Sequence, residues 1–215
     1  MTGIIVGLDL DNTLVTYDAL FHALAIEHGL VDAATPKHKR FIRDLVRQMA
    51  GGEDRWRILQ GIAYGPRMCD AVLSDGVEAF LIDCRRRQVP VHVVSHRTES
   101  AASDPLGTNL RTAALAWMRE RKFFDAEGFG LSPSNVWFEG TRGDKVARIA
   151  GLGCTHFVDD LEEVFREASF PPGVVKILYA PRDDRGPAAD EELGAAGVRT
   201  AGSWAAVHKE IFDCA

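Results

Sequence analysis

Four cysteines in 215 residues, Cys69, Cys84, Cys154 and Cys214, are too few and too scattered for a disulfide framework, and no CxxC pair offers a zinc site. That usage suits a reducing cytoplasm, with each thiol expected as a small buried hydrophobe. Long apolar runs are also missing: no stretch approaches the ~20 residues needed to span a bilayer, so no membrane role is expected. The opening residues lack the basic lead-in of a secretory signal, and Asp9 interrupts the first apolar run early. Surplus basic charge is absent too. A formal net charge of −6 and a pI near 5.6 argue against a general nucleic-acid binder. There is no internal repeat and no low-complexity tract. What is present is 46% hydrophobic and 26% charged residues, ordinary for a soluble globular protein with a real core. The length allows one large domain, or a core domain with a smaller insertion.

The oiliest short run, Ile4, Ile5, Val6, Gly7 and Leu8, leads directly into Asp9 and Asp11. A β-branched run followed by turn-forming residues predicts a buried strand over about 3–9. Downstream, helical patterns fill 16–75. Asp18 is placed to cap "ALFHALAIEHG", Pro36 opens "PKHKRFIRDLVRQMAGG", and a third piece surrounds "EDRWRILQGIA". After the helix "SDGVEAFLIDCRRRQ", strands and helices alternate. "VPVHVVS" is a strand, "LGTNLRTAALAWMRERKFF" a helix, "NVWFEG" a strand and "TRGDKVARIAGLG" a helix. Then come the strand "THFVDD", the helix "LEEVFREASF" and the strand "GVVKILYAP". The segment "PRDDRGPAADEELG" reads as a polar loop, and "AGVRTAG" as an edge strand before the helix "SWAAVHKEIFD". Alternation of this kind predicts βαβ units and a parallel sheet covered on both faces. The expected division is a core of 1–15 and 76–215 with a helical insertion over 16–75.

In open α/β sheets the ligand site lies beyond the carboxyl ends of the strands. The polar residues expected there are Asp9, Asp11 and Thr13 from the first strand, and Ser95, His96 and Arg97 from "VHVVSHRT". The strand "THFVDD" adds Asp159 and Asp160, and Lys145 lies in the first turn of a helix. Buried carboxylates need a compensating cation. Mg²⁺ takes oxygen ligands and leaves places for water or phosphate, so Asp9 and Asp159 can hold it from two strand ends. Lys145 and Ser95 can meet phosphoryl oxygens whose charge needs stabilising during transfer.

In this order, "GLDLDNTL", "VHVVSH", Lys145 in "RGDKVARI" and "THFVDDLEEVF" resemble the four motifs of the haloacid dehalogenase (HAD) superfamily. The resemblance covers residue 4 to about 165. It implies a three-layer, Rossmann-like α/β core with a parallel sheet and a small helical cap of the C1 type. It implies further that Asp9 is a nucleophile forming an aspartyl-phosphate, and that Asp11 is the general acid and then the base. Thr13 would support the nucleophile loop. Mg²⁺ would take Asp9, the main-chain carbonyl of Asp11, and Asp159, with Asp160 also at the metal site. The second aspartate, absent from the dehalogenases themselves, makes the expected activity that of a phosphatase. A small phosphorylated metabolite is the expected partner, a sugar phosphate ahead of a nucleoside monophosphate.

Plainer readings stand beside these. Ser95 reads also as a loop hydroxyl, and His96 and Arg97, placed to reach substrate, read equally as loop residues facing solvent. Asp160 with Glu163 also fits a helix N-cap. Thr141 with Asp144 reads as a capping box, and the following Lys145 is unfavourable to the helix dipole unless an anion compensates it. Rival functions are a nucleotidase, or a non-catalytic metal- and phosphate-binding regulatory protein of the same fold. A response-regulator receiver domain fits poorly, because there the lysine follows both acidic groups.

Overall fold

The computed structural model describes residues 3–100, 107–181 and 187–213. The chain runs β1 (Val6–Leu8), β2 (Val15–Thr16), α1 (Asp18–Glu27), α2 (Lys39–Arg47), α3 (Gly52–Tyr64), β3 (Val72–Leu73), α4 (Val77–Arg86) and β4 (Val91–His96). It continues through α5 (Leu110–Glu120), β5 (Val136–Glu139), α6 (Arg142–Gly151), β6 (His156–Asp159), α7 (Glu162–Phe165), β7 (Val175–Tyr179), α8 (Pro187–Ala195), β8 (Val198–Ala201) and α9 (Trp204–Phe212). Two compact units emerge: Met1–Leu14 with Leu73–Arg97 and Lys122–Ala215, and Val15–Val72 with Thr98–Arg121. Among the described residues no helix is long and apolar enough to cross a membrane.

The first unit is built on a six-stranded sheet in the order β5-β4-β1-β6-β7-β8, with every neighbouring pair parallel. Its central strands β1 and β6 are largely buried because helices cover both faces, while the edge strand β8 exposes Arg199 and Thr200. On one face Val94, Phe157, Leu178 and Val198 pack with Val146 and Ile149 of α6, Val164 and Phe165 of α7, and Leu193 of α8. The opposite pleat carries Tyr179, whose ring lies 5.5 Å from that of Trp204 in α9. Trp204 in turn lies 4.9 Å from Phe80 of α4. This is the three-layer α/β arrangement expected from the alternating pattern.

Gly7 sits in the middle of the sheet, opposite Phe157 of β6. A Cβ there meets Phe157 Cδ2 at 2.5 Å and Cys154 Sγ at 3.0 Å. Gly7→Ala is therefore expected to destabilise the protein by about 1–3 kcal/mol through overpacking, read as a lower urea midpoint at unchanged slope.

The second unit is helical, closed by Phe21 stacked on Trp56 at 4.7 Å and by Tyr17 edge-on to Tyr64 at 4.9 Å. Thr98–Arg121, expected with the sheet, groups with Val15–Val72 instead. The cause is α5, which buries Leu110, Ala114, Trp117 and Met118. Its Trp117 Nε1 donates to the Ala71 carbonyl at 2.9 Å, and Arg121 donates to the same carbonyl at 3.2 Å.

Smaller expectations also shift. Asp18 is the first residue of α1 rather than its cap, and its Oδ1 accepts from the Lys39 N–H at 2.9 Å, serving the start of α2. The expected polar loop contains α8; Pro187 suits a first helical position, and Leu193 anchors the helix in the core. Cys84 and Cys154 are buried free thiols, and burial pushes their pKa values up to about 12 and about 11. Cys69 is exposed rather than buried. Cys214 lies outside the described residues.

Candidate active site

Past β1 the Asp9 N–H donates to the Val158 carbonyl at 2.9 Å, so the chain stays tied to β6 for one residue before it turns. Asn12 lies in that turn with φ 59°, a left-handed conformation that Asn adopts more readily than most residues. The turn leaves Asp9 and Thr13 buried. β6 ends on Asp159, which is fully buried. One of its oxygens, Oδ1, accepts from the Leu161 N–H at 2.9 Å.

Lys145 arrives from the opposite side of this cluster. Its helix, α6, opens on the Thr141 N-cap read from the sequence: Asp144 N–H donates to Thr141 Oγ1 at 3.1 Å, and the returning contact is side chain to side chain, Thr141 Oγ1 donating to Asp144 Oδ2 at 2.7 Å. One residue on, Lys145 is 2% exposed, its Nζ 5.5 Å from the Phe157 ring centroid. The ammonium donates to Asp9 Oδ1 at 2.5 Å and to Asp159 Oδ2 at 2.7 Å. Three residues spread over 151 positions thus meet at one cation. Burial alone disfavours the charged ammonium, but Asp159 and Asp9 outweigh it and hold the Lys145 pKa above its usual value. The Asp9 carboxyl is pushed well above the carboxylate range by burial; Lys145 opposes this, while Asp159, Asp160 and Asp11 add to it.

Asp9, Asp159 and Asp160 each offer an oxygen within 4.8 Å of the others. An all-carboxylate donor set suits a hard cation. The charge balance points the same way: among the described residues Lys145 pairs with Asp9 and Asp159 and Arg97 with Asp11, two cations in a cluster that also holds Asp160. A divalent ion would neutralise the remainder. These residues fit a metal on chemistry and on charge.

Asp160 lies one residue outside the α7 N-cap position, which Leu161 occupies, and its Oδ2 accepts from Asn12 Nδ2 at 3.2 Å. Ser95, in β4, and Thr13 are both buried. Ser95 Oγ and Thr13 Oγ1 have no hydrogen-bond partner among the described residues. Arg97 is buried rather than facing solvent, and its Nη2 donates to Asp11 Oδ1 at 2.5 Å. His96 is exposed. Its Nε2 lies 3.0 Å from the Gly140 carbonyl, an acceptor, so that nitrogen carries the proton.

No family sequence model matches the chain, and no curated protein sequence matches it. Solved structures do. A conserved haloacid dehalogenase-like protein of unknown function from Agrobacterium tumefaciens superposes with a TM-score of 0.57 at 14% identity, covering 99% of both chains. A HAD family hydrolase from Deinococcus radiodurans, solved with bound phosphate and sodium, gives 0.54 at 17% identity over 97% of this chain and 96% of that one. A phosphoserine phosphohydrolase-like protein from Francisella tularensis gives 0.53 at 12% identity over 97% and 100%. This chain has the HAD hydrolase fold.

Within the HAD fold as this chain builds it, two site contacts went unread in the sequence. One is the clamp of Arg97 on Asp11, the other the tie from Asn12 to Asp160. Only Asn12 carried a local signal, as an Asn in a strand-end turn that can take positive φ.

Proposed function

We propose that the protein is a Mg²⁺-dependent phosphatase of small phosphomonoesters, with sugar phosphates the first class to test. The observation that carries this reading is the Lys145 ammonium held between Asp9 and Asp159 at 2.5 and 2.7 Å, at the carboxyl end of a parallel sheet. The HAD fold, reached independently, supports it. Ser95 Oγ and Thr13 Oγ1 support it too: a buried hydroxyl without a partner is unfavourable by ~1–3 kcal/mol, and phosphoryl oxygens are suitable partners.

In this reading an Asp9 oxygen bonds to phosphorus as the ester P–O bond breaks, and Asp11 gives its proton to the leaving oxygen. Asp11 then takes a proton from water, whose oxygen bonds to phosphorus as the Asp9–phosphorus link breaks. Inorganic phosphate leaves and both carboxylates return to their starting states. Lys145 stabilises negative charge at the phosphoryl group throughout. Mg²⁺ would be held by Asp9, Asp159, Asp160 and the main-chain carbonyl of Asp11, and it supplies charge neutralisation at the phosphoryl oxygens.

Purified protein with Mg²⁺ is expected to release phosphate from an aryl phosphate, to lose that activity in EDTA, and to lose it by about 10³-fold or more as Asp9→Asn. Wild type that releases no phosphate in a metal-dependent way, across sugar phosphates and nucleoside monophosphates alike, would overturn the reading.

A further inference from the structure

Arg97 follows β4 directly, and its backbone N–H donates to the Glu139 carbonyl at 3.0 Å, which fixes the root of its side chain. That side chain is 3% exposed, against 22% for Asp11. A guanidinium cannot shed its charge, so burying it requires an anion. Asp11 supplies one, through Oδ1 at 2.5 Å. On the phosphatase reading, which this inference rests on, Asp11 is the residue that exchanges protons with the leaving group and with water. Such transfer requires the carboxyl within hydrogen-bond reach of the reacting oxygen. An aspartate partly open to solvent at a turn has several staggered side-chain orientations available to it.

We infer that Arg97 is a positioning residue that clamps Asp11 Oδ1, so that proton transfer runs through one fixed carboxylate orientation. Arg97 thereby moves from the expected substrate contacts to the support of the acid–base group.

The test compares two esters that differ in their need for a proton. Glycerol phosphate expels an alkoxide, which needs protonation, whereas 2,4-dinitrophenyl phosphate expels a dinitrophenolate, which does not. Arg97→Ala is expected to lower kcat/KM, which reports only the transfer to Asp9 and not the shared hydrolysis step, about 100-fold on the alkyl ester but less than about fivefold on the dinitrophenyl ester. Arg97→Lys should recover part of the alkyl-ester loss, because an ammonium still pairs with Asp11. Thermal unfolding of both variants checks their folding; if the alanine variant unfolds, Arg97→Lys and Arg97→Gln carry the same comparison. Equal losses of kcat/KM on both esters overturn the inference and return Arg97 to substrate binding or to structure. Wild type that turns over neither ester overturns the phosphatase reading beneath it, a result distinct from either of those.

Discussion

Lys145→Met is expected to destabilise the metal-free protein by about 3–5 kcal/mol, because it strands two buried carboxylates without their cation. The substitution keeps the length and most of the volume of the side chain, so the loss is electrostatic rather than a cavity. In the wild type the ammonium touches Asp9 and Asp159 at 2.5 and 2.7 Å. Without it, Asp9 keeps every influence that disfavours its charged form, burial above all, and loses the one that favours it. For a chain of this length the change corresponds to a melting temperature lower by on the order of 10 °C.

Metal dependence distinguishes this account from a simple packing defect. If the lost quantity is positive charge between carboxylates, Mg²⁺ should restore part of the stability of Lys145→Met; a packing defect would not respond. On the proposed mechanism, phosphate release should fall by about 10²–10³-fold even when Mg²⁺ restores folding, because the cation assigned to the phosphoryl group is gone. Urea unfolding in EDTA and then in Mg²⁺ gives both numbers. A variant as stable as wild type in EDTA would show that the lysine does not hold the carboxylates together.

The central strands were legible because β1 and β6 are largely buried and read as apolar runs ending in polar residues. Ile4–Leu8 before Asp9 and "HFV" before Asp159 are such runs. Lys145 was legible for a different reason: a cation just inside a helix that a capping box had already located. Pairings across the fold left no such trace. Arg97 and Asp11 lie 86 positions apart, and nothing local to "SHRT" separates a clamping arginine from one facing solvent. The allegiance of α5 was equally hidden. Its sequence shows an apolar stripe, but the partner of that stripe is decided by contacts such as Trp117 to Ala71. Asp18 illustrates the same limit in small: a residue type suited to capping its own helix accepts a hydrogen bond from the first residue of the next one.

Asp159→Asn should respond to Mg²⁺ in the opposite sense to Lys145→Met. The amide keeps one oxygen for the Leu161 N–H, its NH2 then faces the Lys145 ammonium that Oδ2 accepted from, and Lys145 keeps Asp9 as its anionic partner. Removing one carboxylate also relieves a cluster in which Asp159 is among the charges pushing Asp9 upward. In EDTA the variant is therefore expected to lose about 1–3 kcal/mol, less than Lys145→Met. Mg²⁺ should separate the two proteins. At a free concentration of a hundred times the dissociation constant, a bound ion stabilises the wild type by about 2.7 kcal/mol. In the variant one of three clustered oxygen donors has become neutral, so the same Mg²⁺ should give little of that gain. Thermal unfolding with and without the ion reads this without reference to turnover. A variant that keeps the full Mg²⁺ response would remove Asp159 from the metal site. Taken with Lys145→Met, the pair separates two roles for charge at this site: one cation that the fold itself requires, and a surplus of carboxylates that only an added ion can satisfy.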